Sequence, residues 1–375
     1  MKKHLMIILL TILLLTAICS QAVASSPDES LIKDIISKYY DTRYQALSVL
    51  EEKDISSFWK TENNPEYDLE VNALSTDINH RKMQLIDLRF EKYNLKMDFK
   101  SIDVLNNKAN VKVAEYSGIY QNASPDVCSE LWSEHTIKME KINGKWLMVS
   151  DNSPDLTKRA LLLIIEKGGN ASEAKAEIIE SSKQEVIIKK EEALRQKNNI
   201  QKEPAIQPLS LQSYNVTNAV QYAMTWALSR NPAWGNYTGQ GGDCTNFISQ
   251  CLYAGGIPFD TVGNPNYNQR WFWYSYSNRT PTWTGVNQFW DYALNDIGYG
   301  LYTSQVSRSG VYKGDIIQLV SGSSGYHSLF VNNAYTYNGY RFIFICCHDT
   351  DRKDYNLDNF GSVTKRYLHI NGWYN

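Results

Sequence analysis

Between residues 31 and 60 ("LIKDIISKYYDTRYQALSVLEEKDISSFWK") apolar and charged positions alternate at helical spacing, and a broken charged stretch continues to about Asp98. Beyond it the period shortens. The segments "FKSIDVLNNKANVKVAEYSGIY", "SEHTIKMEKI" and "GKWLMVSD" carry β-branched and aromatic residues around an Asn143-Gly144 turn, as an antiparallel meander does. Residues 27–153 therefore predict a small α+β unit of helices on a curved sheet. The stretch that follows, 154–204, becomes rich in Ala, Glu and Lys, with Glu185–Lys189 and Glu191–Arg195 pairs four apart. Its apolar stripe (Ile178, Ile179, Val186, Ile187) is thin, which predicts an exposed, charged helical linker. The prolines of "EPAIQPLS" put a boundary near residue 205.

In the remainder, 205–375, a helix over "NVTNAVQYAMTWALSRNP" shows Ala219, Ala223, Trp226 and Ala227 on one face and stops at Pro232. The next helix starts in "GGDCTNFISQCLYAGG", where Cys244, Phe247, Ile248, Cys251 and Leu252 form one stripe, Asp243 is the expected N-cap and Gly255-Gly256 the stop. The aromatic run Trp271, Phe272, Trp273, Tyr274 and Tyr276 reads as core and rim packing, with a groove lining as the alternative. Three strands are expected at Asp315–Val320, His327–Asn333 and Arg341–His348. A two-residue turn at Asn338-Gly339 pairs Tyr337 with Tyr340, and hence Leu329 with His348 and His327 with Thr350. In that register His348 shares the face of His327 and Asp349 does not; a bulge would exchange them.

Composition narrows the function. A formal net charge of −2 provides no basic field for nucleic acid. The start "MKKHLMIILLTILLLTAICSQAVASS" has two lysines, a short apolar run and the small-residue stop Ala22-Val23-Ala24, which is the pattern of a cleaved export signal over residues 1–24. No later segment is long and apolar enough to span a bilayer, so the expected mature protein is secreted and wall-associated. Loss of Cys19 with the signal leaves five scattered cysteines, which do not form a disulfide framework. Neither a metal nor another cofactor is expected, because Cys346, Cys347 and His348 are adjacent on a strand and diverge. His80 and His135 have no acidic or thiol cluster near them in sequence. The sequence does not specify an oligomeric state.

The chemistry points to Cys244. A thiol in the first helical turn faces unpaired N–H groups and the positive end of the helix dipole, which favour thiolate and can hold an oxyanion. His327 opens the strand "HSLFV" after the glycine-rich "SGSSGY" and is the candidate base. His348 is the candidate orienting group, with Asp349 and Asp351 as alternatives.

The combination "AVQYAMTWALSRNPAWGNY…GGDCTNFISQCLYAGG", "KGDIIQL…YHSLFV", "CHDTD" and "RYLHI" resembles the "putative amidase domain" family of secreted bacterial proteins over about residues 211–372. The resemblance implies a relative of the NlpC-type and CHAP-type amidases. It also implies a papain-like fold, Cys244 as nucleophile, His327 as base, His348 as third polar residue, and peptides of the cell wall as substrate. An acyltransferase using the same thioester, or a wall-binding protein without turnover, are the competing readings.

Overall fold

The computed structural model describes residues 27–198, 211–240, 242–295, 299–361 and 363–374. The expected export signal, with its cleavage after Ala24, and the boundary near residue 205 lie outside the described residues.

The N-terminal region packs two helices, α1 (Pro27–Val49) and α2 (Pro65–Met83), on the meander β1 (Phe90–Leu105), β2 (Lys108–Gln121), β3 (Ser124–Ile142) and β4 (Lys145–Asn152). Ile32, Ile36 and Tyr39 of α1 share a core with Val111, Val113, Ile137, Trp146 and Met148 of the sheet. Helix α2 lies in the stretch that the hydropathy pattern left broken. Its buried side chains include Glu70, Thr76, His80 and Arg81 among Leu69, Ala73, Leu74 and Ile78, so polar groups interrupt the apolar stripe of its inner face. Its start is nonetheless written locally: Pro65 occupies the first turn and Asn64 Oδ1 accepts from Glu66 N at 3.2 Å.

Two helices follow, α3 (Leu156–Ile165) and α4 (Ala171–Asn198). The linker is helical, as expected, but it is not an exposed spacer. Ala174 and Ile178 are buried against Leu69, Ala73 and Leu161. Further along, Lys189, only 4% exposed, donates to Asp358 Oδ1 and Gln84 Oε1, each at 2.7 Å. A lysine counted from sequence as half of a surface pair is thus buried, where it neutralises a buried carboxylate.

The C-terminal region contributes helices α5 (Val216–Trp226), α6 (Cys244–Ala254), α7 (Pro281–Thr284) and α8 (Val286–Leu294). Its strands are β5 (Leu211–Gln212), β6 (Gly300–Val306), β7 (Ile316–Ser321), β8 (Ser324–Tyr337), β9 (Tyr340–Cys347), β10 (Asp351–Asn356) and β11 (Thr364–Tyr374). The fold is α+β, and the two strand sets form one antiparallel sheet of order β1-β2-β3-β10-β9-β8-β7-β11-β5, with β4 beside β3 and β6 beside β11. The seam is short: Trp132 pairs with Asp351, Leu131 with Arg352 and Glu130 with Lys353.

Residue alternation divides the C-terminal core between two faces. Phe330 and Cys346 join Phe247, Ile248, Trp271 and Trp283 under the helices, while Leu329, Val331, Ile345 and Cys347 pack with Tyr355 and Phe360 on the other side. Neighbouring Cys346 and Cys347 therefore diverge, and the five described cysteines are all free. In the aromatic run Trp271 is fully buried, whereas Tyr274 and Tyr276 are exposed.

Candidate active site

Helix α6 places Cys244 at its first residue and buries Phe247, Ile248, Cys251 and Leu252 against α5 and the sheet. Asp243 precedes the helix, but its side chain does not cap it. Its Oδ1 accepts from Tyr237 N at 3.0 Å and Asn246 Nδ2 at 2.7 Å. Its Oδ2 faces His348 Nδ1 at 2.6 Å and Arg230 Nε at 3.1 Å. The cap comes instead from a distant part of the chain: Asp349 Oδ2 accepts from the backbone N–H of both Asp243 and Cys244, the latter at 3.0 Å. Gly242 makes this approach possible. Its φ is +104°, and a Cβ there would sit 2.7 Å from Asp349 Oδ2.

His348 is pinned at both ring nitrogens, by Asp243 and by the Trp226 carbonyl at 2.9 Å, and it stacks on Phe247 with ring centroids 4.1 Å apart. Neither nitrogen is left to orient His327. Asp351 is likewise engaged, receiving both guanidinium nitrogens of Arg230 at 2.7 and 2.9 Å.

The cause is a register shift. The Asn338-Gly339 turn does pair Tyr337 with Tyr340, but an irregularity between Val331 and Asn333 moves the ladder, so that Phe330 faces Cys346. One residue of slip exchanges the two faces beyond it. His348 therefore falls on the helix side with Ser328, and Asp349 has the parity of His327. The chain then turns sharply, with φ of +62° at Asp349 and +75° at Thr350, and this swings Asp349 onto the start of α6.

His327 lies on β8, 1% exposed. Its chain neighbour Ser328 bonds Thr245 at 2.9 Å between side-chain oxygens, so the start of α6 lies against β8 at this point. No hydrogen bond joins Cys244 to His327, and among the described residues His327 Nε2 has no partner. Burial, with Arg352 and Arg159 adding to it, pushes the imidazole down to about 3, so it is neutral. Burial and then the charge of Asp349 push the Cys244 thiol up to about 12, against the N–H groups of Ser328 and Thr245 that favour thiolate. The resting pair is therefore thiol and neutral imidazole. Cys251, fully buried on the same stripe, is also held well above the usual thiol range by burial.

The acidic cluster absent from sequence around His135 is present in three dimensions. Its Nδ1 meets Tyr40 Oη at 2.6 Å and Asp151 Oδ1 at 3.1 Å, and its Nε2 meets Glu115 Oε2 at 3.1 Å. Burial disfavours the imidazolium, but Asp151 and Glu115 outweigh it and raise His135 to about 9. The cluster lines a cavity of about 110 Å³ bounded by α1, the sheet and β10, and Cys244 is not among its lining residues. The register was the available signal: Val113 faces His135 across β2–β3, which places Glu115 one diagonal step away.

Residues 213–370 match the family described as "Putative amidase domain". The uncharacterized protein YhbB of Bacillus subtilis (strain 168) is 39% identical over 105 residues, 28% of this chain and 32% of that protein. The chain thus spans about a third of the length of this curated relative. No solved structure matches the chain.

Proposed function

We propose that the protein is an exported cysteine amidase of papain-like architecture that cleaves amide bonds in cell-wall peptides. The observation that carries this reading is the start of α6, where Cys244 heads the helix and the N–H groups of residues 243 and 244 already hold a carboxylate oxygen. Donors that hold one negative oxygen can hold another, namely the oxyanion of a tetrahedral intermediate. The amidase family of residues 213–370 supports the bond type.

With a protonated thiol and a neutral histidine at rest, general-base catalysis fits better than a preformed ion pair. His327 takes the Sγ proton as sulfur attacks the carbonyl carbon; the carbonyl pair moves to oxygen and is held at the helix start. The tetrahedral species collapses with loss of the amine, which receives the proton from His327. Water then attacks the thioester and releases the acid.

Purified peptidoglycan incubated with the mature protein should yield new amino and carboxyl ends by mass spectrometry, and the folded Cys244→Ser variant should yield none. Release undiminished in Cys244→Ser would rule out the thiol mechanism, and the absence of new ends with wild-type protein would rule out the cell-wall substrate.

A further inference from the structure

We infer that Asp349 is a built-in occupant of the oxyanion position, a latch that holds the Cys244 site closed until a substrate carbonyl oxygen displaces it; this rests on Cys244 being the nucleophile. Three features of the structure support it.

The first is position. One carboxylate oxygen, Oδ2, receives the N–H of residues 243 and 244, which are the donors an oxyanion on the carbon bonded to Cys244 Sγ would use. While Asp349 is there, the site lacks its anion-stabilising groups. Its charge also opposes the negative sulfur, and it is the largest charge effect on the thiol after burial itself.

The second is that the contact is held under tension. Asp349 and Thr350 are consecutive residues with left-handed φ, +62° and +75°. Asp tolerates that region, but a β-branched Thr does not adopt it without strain of about 1–3 kcal/mol. The turn holds because the Thr350 hydroxyl donates to Pro154 O at 2.5 Å and because Asp351, directly after it, is paired to Trp132 and clamped by Arg230. Strain of this kind persists only where the surroundings hold it, here the two anchors on either side of the carboxylate.

The third is that the carboxylate is not matched by a cation of its own. The charged groups facing Asp349 are Asp243 at the helix start and Arg230 from the segment after α5, and Arg230 spends its donors on Asp351 and Asp243. Burial and the Asp243 charge raise the Asp349 carboxyl, against the two N–H groups and Arg230. The only described hydrogen bonds of the latch carboxylate are thus the two a substrate would take over. The anchor Trp132 belongs to the N-terminal region and Pro154 follows its last strand, which assigns that part of the chain a role in setting the latch.

The test compares a neutral and an anionic alkylating agent on the intact protein. Iodoacetamide reports thiol reactivity; iodoacetate also reports whether the helix-start N–H groups are open to a carboxylate. Asp349→Ala empties the position, and Asp349→Asn keeps a residue that tolerates the left-handed φ, providing a variant that folds if the first does not. Both should raise the iodoacetamide rate at Cys244 about tenfold, the effect of one unit of thiol pKa. In Asp349→Ala the iodoacetate-to-iodoacetamide ratio should rise as well, because the anion gains the vacated donors. A helix cap with only a structural role would lower the melting temperature and leave that ratio unchanged, and this would overturn the latch. A fall in Cys244 alkylation in Asp349→Asn would overturn it too, making Asp349 an activating residue. Because alkylation needs no turnover, these outcomes are read whether or not Cys244→Ser abolishes hydrolysis.

Discussion

His135 and His327 stand on the same sheet, 6% and 1% exposed, in opposite electrostatic conditions. His135 sits between Asp151 and Glu115 with Tyr40 beside it, both nitrogens bonded, and is raised to about 9. Among the described residues His327 has no carboxylate partner and an unpartnered Nε2; it feels Arg352 and Arg159 and is lowered to about 3. The difference separates two uses of a buried imidazole. A satisfied cation is part of what holds the N-terminal region together, whereas a buried neutral imidazole with an unpaired nitrogen costs stability. The sequence neighbourhood of His135 does not reveal its network.

The largest effect should come from separating the two regions. A chain starting at Leu211 loses β3 from the edge of β10 and loses Lys189 from Asp358, which then stays buried with Arg308 and Tyr340. We expect this fragment to be insoluble or to melt without cooperativity; a sharp melt within a few degrees of the intact protein would make the regions independent. Next is His135→Ala, which strands two buried carboxylates and should cost about 3–5 kcal/mol in urea unfolding. His327→Leu should cost less than about 1 kcal/mol, because it removes an unpaired buried nitrogen, yet abolish turnover. Equal destabilisation by the two would dissolve the contrast.

The pH dependence sharpens it further. The folded pKa of His135 lies above its unfolded value, so its contribution is complete below about pH 6.5 and is lost as pH rises through 9, on the order of 3 kcal/mol. His327, and His80, which burial lowers to about 4, behave in the opposite sense. Their unfolded forms take up protons first, so stability falls as pH drops from about 6.5 toward 4 and 3. Urea midpoints across pH 4–9 should therefore fall on both sides, and His135→Gln should flatten only the alkaline side. His348→Ala should cost about 1–2 kcal/mol for the lost bond to Asp243 and have the smallest effect on the Cys244 site, with thiol labelling nearly unchanged.

What was legible in the sequence was local. The Asn143-Gly144 and Asn338-Gly339 turns, the strands following them and the Cys244 helix follow from turn chemistry and hydrophobic period, which neighbouring residues determine. The bulge near Asn332 carries no glycine or proline to announce it, and it decides which of His348 and Asp349 faces the helix. The cap on α6 was assigned to Asp243 because it is adjacent; the structure uses Asp349, 106 positions away. Helix α2 and the buried part of α4 escaped because their inner faces mix apolar side chains with charged ones, whose partners, such as Asp358, only the assembled fold supplies.

The two-sided bonding of β3 has a consequence for the order in which the chain can fold. β2 takes one edge throughout, but on the other β4 covers only Thr136 to Ile142, and the stretch at Glu130–Trp132 is completed by β10. As the chain emerges from its N-terminus, this edge is finished long before its partner exists. Until β10 arrives it is an open strand edge, available to another copy of the same chain.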